Sequence, residues 1–231
     1  MIYIITQRDP FFIDAFLHRF DEFGVSYKVL DLPNFNKGFY SGLSRAFTLY
    51  GFWGVLKLIL YYLQKRPFFK FNHMIESYSY ANIEEAMVSL QSINDEDVIL
   101  SLSAPCRIPI EKFPNKICKY NIHCGKLPEY AGMMPIFWQI LDGNSTITIT
   151  IHDLAAEIDT GSILVETEMK ILHSLFITSV KAKEKSAELF YDLLNKNLDF
   201  PNPMPRSKPI KLTKFPQKDD VHQFKKRMRL I

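Results

Sequence analysis

The chain opens with a β-branched run over residues 2–6, followed by Asp9-Pro10 and then by apolar residues at Phe12, Phe16, Phe20 and Phe23. The run predicts a strand. The three-to-four spacing predicts a helix over 11–23, begun by Asp9 with Pro10 at the first helical position and ended at Gly24. Residues 25–32 read as a second strand, so the chain starts strand–helix–strand, the opening unit of a parallel α/β sheet. Short apolar runs at 97–102 (DVILSL) and 117–123 (ICKYNIH) predict further buried parallel strands. The run TITITIH, 146–152, alternates β-branched residues strictly and is the clearest strand in the chain. Another strand is expected over 163–168. Helices are expected at 83–92, at 136–141 (stopped by Asp142-Gly143) and at 178–195, the last with Lys and Glu on an outer face. Residues 33–42 form a loop. PNPMPRSKP, 201–209, has four prolines and reads as a stiff extended linker, leading to a tail, 210–231, that predicts a short strand and a terminal helix. The chain shows no internal repeat.

Residues 47–63, FTLYGFWGVLKLILYYL, are nearly apolar for 17 residues but contain Lys57 and two glycines. That length is at the lower limit for a bilayer span, and a lysine near its middle argues against one. The expectation is a helix buried by the rest of the fold or by a second subunit. Its aromatic content and its flanks, Arg45 before and Lys65, Arg66 and Lys70 after, also suit a helix lying in a membrane interface.

Composition changes this picture little. With 47% hydrophobic and 23% charged residues, 231 residues support one core and a small appendage. The net charge of +3 is too small to imply nucleic acid, and the cluster Lys225, Lys226, Arg227 and Arg229 reads as a solvated tail. Cys106, Cys118 and Cys124 lack the spacing a zinc site requires, so no metal is expected. An odd cysteine count, with a first segment that reads as strand and turn rather than signal peptide, fits a cytoplasmic protein.

Two elements carry candidate chemistry. The 117–123 strand delivers Asn121 and His123 at i and i+2, on one face at its carboxyl end, the edge where open α/β sheets bind ligands. Asp159-Thr160-Gly161 follows the TITITIH strand after a short loop and returns a carboxylate to that neighbourhood. An amide donor, an imidazole and a carboxylate are the parts that acyl transfer needs: one steadies an oxyanion, one accepts a proton, one orients or tunes the imidazole. Taken singly, His123 also reads as a hydrogen-bonded core histidine and Asp159 as a turn residue.

The longer string resembles a known family. Asn121-Ile122-His123, Gly125-Lys126-Leu127-Pro128, Tyr130, Gly132, Pro135, Trp138, Asp142-Gly143 and Asp159-Thr160-Gly161, with 38 residues from Asn121 to Asp159, resemble the core of the formyltetrahydrofolate-dependent formyltransferases. The likeness covers roughly residues 97–168. It implies a Rossmann-like, open, mostly parallel twisted sheet with helices on both faces. The catalytic domain would span 1–200, with a helical insertion near 40–70 and a C-terminal extension at 201–231. It implies 10-formyltetrahydrofolate as formyl donor, with Asn121 holding the formyl oxygen, His123 beside the acceptor amine and Asp159 positioning His123. The loop Ser103, Ala104, Pro105, Cys106, Arg107 and Ile108 aligns with the backbone that binds the pterin, and Ala155, Ala156, Glu157 and Ile158 with the second folate loop. Gly125 and Gly132 permit tight turns. Arg8, Lys126, Tyr130 and Gly132 are candidates for acceptor contacts.

The chain departs from the family at informative places. Gly125-Lys126-Leu127-Pro128 replaces the common Ser-Leu-Leu-Pro and is more like the amino-sugar enzymes than the tRNA enzyme. The first turn, 6–9, lacks a glycine that many relatives have. The C-terminal region is too short for the second domain of the tRNA enzyme, while Lys214-Phe215-Pro216, Asp219-Asp220-Val221 and Phe224 resemble the closing segment of other relatives. The expected acceptor is therefore a nucleotide-linked amino sugar, as in polysaccharide biosynthesis, and the small relatives suggest a homodimer. A second reading passes the formyl group to a membrane-linked amine, using 47–63 as an interfacial foot. A third is a folate- or nucleotide-binding module without catalysis. His152, at the end of the TITITIH strand, reads as structural, Trp138 as core, and Cys106 and Cys124 as small buried residues.

Overall fold

A computed structural model of the chain describes residues 1–7, 9, 11–33, 39–65, 75–90, 92–195 and 212–228. Arg8, Pro10, Arg229 and the proline-rich stretch 201–209 lie outside the described residues. One sheet holds β1 (Ile2–Gln7), β2 (Tyr27–Leu32), β3 (Ile75–Ser79), β4 (Val98–Leu102), β5 (Cys118–His123), β6 (Thr146–Asp153) and β7 (Ile163–Lys170). Its order is β3-β2-β1-β4-β5-β6-β7. The first five strands run parallel, and β6 and β7 complete the sheet antiparallel. The expected Rossmann-like, mostly parallel α/β sheet is what forms. Strand order reverses beside β1, which sets a ligand crevice at the carboxyl ends of β1 and β4.

Six helices accompany the sheet among the described residues: α1 (Phe12–Asp21), α2 (Phe39–Lys65), α3 (Ile83–Ser89), α4 (Pro135–Leu141), α5 (Leu175–Leu194) and α6 (Lys218–Arg227). Neighbouring strand residues feed opposite faces, as a two-residue period demands. Ile4, Val29 and Leu100 join the core packed by α1, α4, α5 and α6, whereas Ile5, Leu30 and Ile99 join one packed by α3 and the segment from Ile108 to Ile117. Helices thus cover both faces, as expected.

Local chemistry explains several boundaries. The Asp9 carboxylate accepts the Phe11 and Phe12 backbone N–H groups at 2.8 and 2.7 Å and so holds the entry to α1, which begins at Phe12 with Phe11 at its N-cap rather than at the expected Asp9-Pro10 start. Ser174 caps α5 by accepting from the Ile177 N–H, which starts that helix at Leu175 rather than at 178. The sequence pattern misses β3, a largely exposed edge strand (IESYS) with too few apolar residues to register.

The tail is part of the main core. Phe224 of α6 is fully buried and stacks on Phe137 of α4 with ring centroids 4.5 Å apart. Ahead of it the expected strand is reduced to one bridge, between Thr213 and Gly132.

The 47–63 expectation of burial by the rest of the fold holds only in part. The helix exists, interrupted at Gly51 (φ 69°), but this chain buries only part of it. Leu49 and Leu58 are buried, whereas Phe52, Trp53, Leu56, Ile59, Leu60 and Leu63 are exposed. Periodicity cannot distinguish the two outcomes, because the segment is apolar on every face and neither face is marked for solvent. No helix among the described residues is long and apolar enough to cross a membrane.

Candidate active site

β5 and β6 pair so that Asn121 lies directly opposite His152, and His123 opposite Thr150. The i, i+2 spacing then turns Asn121, His123 and His152 toward one cavity. Asp159 reaches it from the turn after β6. Its φ of 53° is a left-handed conformation that aspartate tolerates better than most residues. The turn is fixed behind it by Gly161, where a Cβ would fall 1.7 Å from the Asp153 carbonyl oxygen. Replacing Gly161 by alanine is expected to destabilise the fold by about 3 kcal/mol, the upper end for overpacking, and to swing Asp159 out of place. Urea unfolding and activity assays read the two effects separately.

Asp159 gathers the cluster. One carboxylate oxygen accepts the Gly132 backbone N–H at 2.8 Å and lies 3.5 Å from His123 Nδ1. The other accepts from Asn121 Nδ2 at 3.3 Å and lies 3.6 Å from His152 Nε2. His123 Nε2 is 2.8 Å from the Tyr130 carbonyl oxygen, which can only accept, so Nε2 carries a hydrogen and Nδ1 is the free acceptor. His152 Nδ1 donates to the Asp153 carbonyl at 2.7 Å, leaving Nε2 to accept from Asn121 Nδ2 at 2.9 Å. His152 thereby fixes which way the Asn121 amide faces.

The electrostatics follow from burial and this pairing. Burial pushes the His123 imidazole below its ordinary range and outweighs the opposing pull of Asp159 and the Tyr130 carbonyl, while His152 and Lys183 push the same way as burial. His123 is accordingly neutral at pH 7. Burial works to raise Asp159, but the His123 and His152 imidazoles beside it and the Gly132 N–H together bring it down to about 2. It is a carboxylate at neutral pH.

The cavity measures about 980 Å³. Every residue of 103–108 and 155–158 lines it, as does Gly132. Lys126 is solvent-exposed and outside the lining. The Tyr130 hydroxyl donates to Asp142 and accepts from Asn144, so of this residue only the carbonyl reaches the cluster, through His123. Arg8 lies outside the described residues.

Two cavity residues escaped sequence reasoning. His152 read as structural, and only its register opposite Asn121 reveals it. Lys183 looked like one more outward lysine of α5, yet it is 9% exposed and donates to the Ser103 hydroxyl at 3.0 Å. Its neighbours Lys181 and Lys185 pair with Glu184 and Glu188. No carboxylate lies within ion-pair distance of Lys183 among the described residues. No group of three or more His, Cys, Asp or Glu positioned for a metal occurs among them either.

Fold and geometry together define an α/β protein whose ligand cavity, at the carboxyl ends of its parallel strands, contains an amide, two imidazoles and a carboxylate. Comparison with known proteins makes this more particular: residues 107–193 match the sequence model of the formyl transferase family. Among curated relatives, the bifunctional polymyxin resistance protein ArnA of Wigglesworthia glossinidia brevipalpis is 35% identical over 89 residues, covering 38% of this chain and 13% of ArnA. The methionyl-tRNA formyltransferase of Prochlorococcus marinus subsp. pastoris is 34% identical over 91 residues, covering 36% of this chain and 28% of that enzyme. The chain thus matches less than a third of either relative's length. Two solved structures share the fold. A sugar N-formyltransferase from Shewanella sp superposes with a TM-score of 0.52 at 15% identity, covering 97% of this chain and 87% of that one. HypX from Aquifex aeolicus, in complex with tetrahydrofolic acid, gives 0.54 at 15% identity, covering 90% and 28%.

Proposed function

We propose that the protein transfers a formyl group from 10-formyltetrahydrofolate to a primary amine, that of a nucleotide-linked amino sugar. The observation that carries this reading is the convergence of Asn121, His123 and Asp159 on one cavity at the carboxyl edge of the sheet. The loops 103–108 and 155–158, which the family resemblance assigns to the folate, line the same cavity. The match of 107–193 to the formyl transferase family supports the chemistry. Gly125-Lys126-Leu127-Pro128 and the shared fold with a sugar N-formyltransferase support the acceptor class.

In this mechanism the neutral amine attacks the formyl carbon and its carbonyl oxygen becomes an oxyanion. Both Asn121 N–H groups are engaged at rest, and the longer contact, 3.3 Å to Asp159, is the one that gives way to the oxyanion. His123 Nδ1 takes the amine proton and forms an imidazolium–carboxylate pair with Asp159. Collapse of the intermediate breaks the bond from the formyl carbon to the folate nitrogen, which takes back the proton held by His123, and releases the formamide and tetrahydrofolate. Asp159 stays ionised throughout.

Incubating the protein with 10-formyltetrahydrofolate and a panel of nucleotide-linked amino sugars tests this directly. Release of tetrahydrofolate with formamide product is expected. Folate binding with no turnover on any amine would instead make the protein a binding module.

Lys183 supplies a further check. Its buried ammonium is placed to meet an anionic group of a bound substrate, since burying a cation is costly without one. Lys183→Met is expected to raise KM for one substrate roughly tenfold, as a charged hydrogen bond would, with kcat little changed. Comparing donor and acceptor KM identifies which substrate it holds.

A further inference from the structure

We infer that Thr213, in the tail, is a positioning residue of the candidate site, clamping the loop 130–134 whose backbone holds both Asp159 and His123. Its effect on turnover rests on the formyl-transfer reading; the clamp itself rests on geometry. Asp159 Oδ2, the oxygen that faces His123 Nδ1, accepts the Gly132 N–H at 2.8 Å. Two residues earlier, the Tyr130 carbonyl accepts from His123 Nε2 at 2.8 Å. One short loop thus orients both members of the imidazole–carboxylate pair.

The loop is held in turn from 82 residues further along the chain. The Thr213 N–H donates to the Ala131 carbonyl at 2.7 Å, and the Met133 N–H donates back to the Thr213 carbonyl at 2.9 Å. The Thr213 hydroxyl hydrogen is shared between the Ala131 and Met133 carbonyls, each 2.9 Å away. Backbone groups on both sides of Gly132 therefore pair with this one residue. The fit is close: a Cβ on Gly132 would fall 2.5 Å from the Thr213 carbonyl oxygen and 2.8 Å from its nitrogen. The loop does not adopt this shape freely. Gly132 has φ 108° and Met134 φ 56°, and the second is costly for a methionine, so it persists only where the surroundings impose it.

The tail can impose it because the tail is anchored elsewhere. The Lys214 carbonyl accepts the Trp138 Nε1–H at 2.9 Å, and Val221 and Phe224 of α6 are buried in the main core. Thr213 lies outside the stretch 107–193 that matches the formyl transferase family. It acts through Gly132 rather than on the reacting atoms. The charged and titratable groups around the pair are His123, His152 and Asp159 themselves, with Lys183 acting on His123. Loosening Thr213 leaves those groups in place and withdraws only the Gly132 N–H. Losing a donor to the charged form raises a carboxyl group's titration, so Asp159 should move up toward the ordinary 3.8.

The test compares Thr213→Val, Thr213→Ala, Thr213→Ser and Trp138→Phe in the whole protein. Valine keeps the size of the side chain and removes the shared hydroxyl, and alanine removes it with less bulk should valine disturb folding. Serine keeps the hydroxyl, and Trp138→Phe removes a different anchor of the same tail. Carboxyl ¹³C NMR, with the Asp159 signal assigned from Asp159→Asn, follows the titration without substrate. Thr213→Val and Thr213→Ala are expected to raise it above the wild-type position. They should also lower kcat about three- to tenfold, the scale of one hydrogen bond, with KM for donor and amine little changed. Thr213→Ser should restore both properties. Trp138→Phe should lower the thermal stability and leave the titration where it is. An Asp159 titration unmoved in Thr213→Val and Thr213→Ala overturns the proposal. An equal shift in Trp138→Phe also overturns it, since general loosening of the tail would then suffice. Because the titration needs neither formyl donor nor amine, it decides the clamp even where the wild type transfers no formyl group, a result that would count only against the reading of the activity.

Discussion

Replacing His123 by alanine is expected to lower kcat/KM for formyl transfer by about 10²–10⁴-fold, the span associated with losing a positioned acid–base group. The imidazole is buried, holds the Tyr130 carbonyl through Nε2, and leaves Nδ1 as its only free acceptor beside Asp159. Removing the ring removes the proton acceptor and leaves the Asp159 carboxylate no imidazolium to stabilise. The substitution should also open a small cavity, so the fold is checked by thermal unfolding before rates are compared. Steady-state kinetics at saturating formyl donor give the decisive number. Activity retained within a few-fold would sink the assignment of His123 as the proton acceptor. Wild-type activity should fall as pH drops through the His123 pKa, which burial sets below the ordinary 6.5.

The second large effect is expected from Asp159→Asn. Asparagine preserves the size of the side chain and accepts the positive φ at this position, so the turn should survive. The charge does not. Turnover is expected to fall by about 10²–10⁴-fold, because the imidazolium formed during attack loses its counter-ion. The pH profile separates this role from a structural one. Removing an anion beside a base makes its charged form harder to reach, so the acidic limb of the variant should move to lower pH than in the wild type. Stability carries a second signature. The folded carboxyl titrates at about 2 against an ordinary 3.8, so its contribution is complete above 3.8 and disappears as pH falls through about 2. Urea denaturation should show the wild type losing stability across that window more steeply than the variant. An acidic limb that stays in place would show that Asp159 acts only by holding the turn.

Both variants concern residues legible in the sequence, and the reason is local. Asn121 and His123 are two apart on one strand, and strand geometry alone puts them on one face. The apolar runs of β1, β4 and β5 give buried parallel strands because such strands are covered on both sides. Asp159 was legible through its distance from Asn121 and its Thr160-Gly161 context, although why glycine must follow emerges only from the Asp153 carbonyl packed against it. His152 and Lys183 were not legible as residues of the cavity. The first depends on the β5–β6 register, and the second on which way one lysine of a helix turns, and neither leaves a periodic trace.

By itself, then, the sequence determined the α/β class, the amide–imidazole–carboxylate set and the resemblance that names its chemistry, because these rest on short-range spacing along single elements. Tertiary structure decided the rest. It placed Asp159 between two histidines, turned Lys183 inward, drew the tail into the core through Phe224, and left one apolar face of α2 exposed. Each depends on contacts between residues far apart in the chain. A residue's own neighbours in sequence fix which face it occupies, but only the packed neighbours determine whether that face meets core, ligand or solvent.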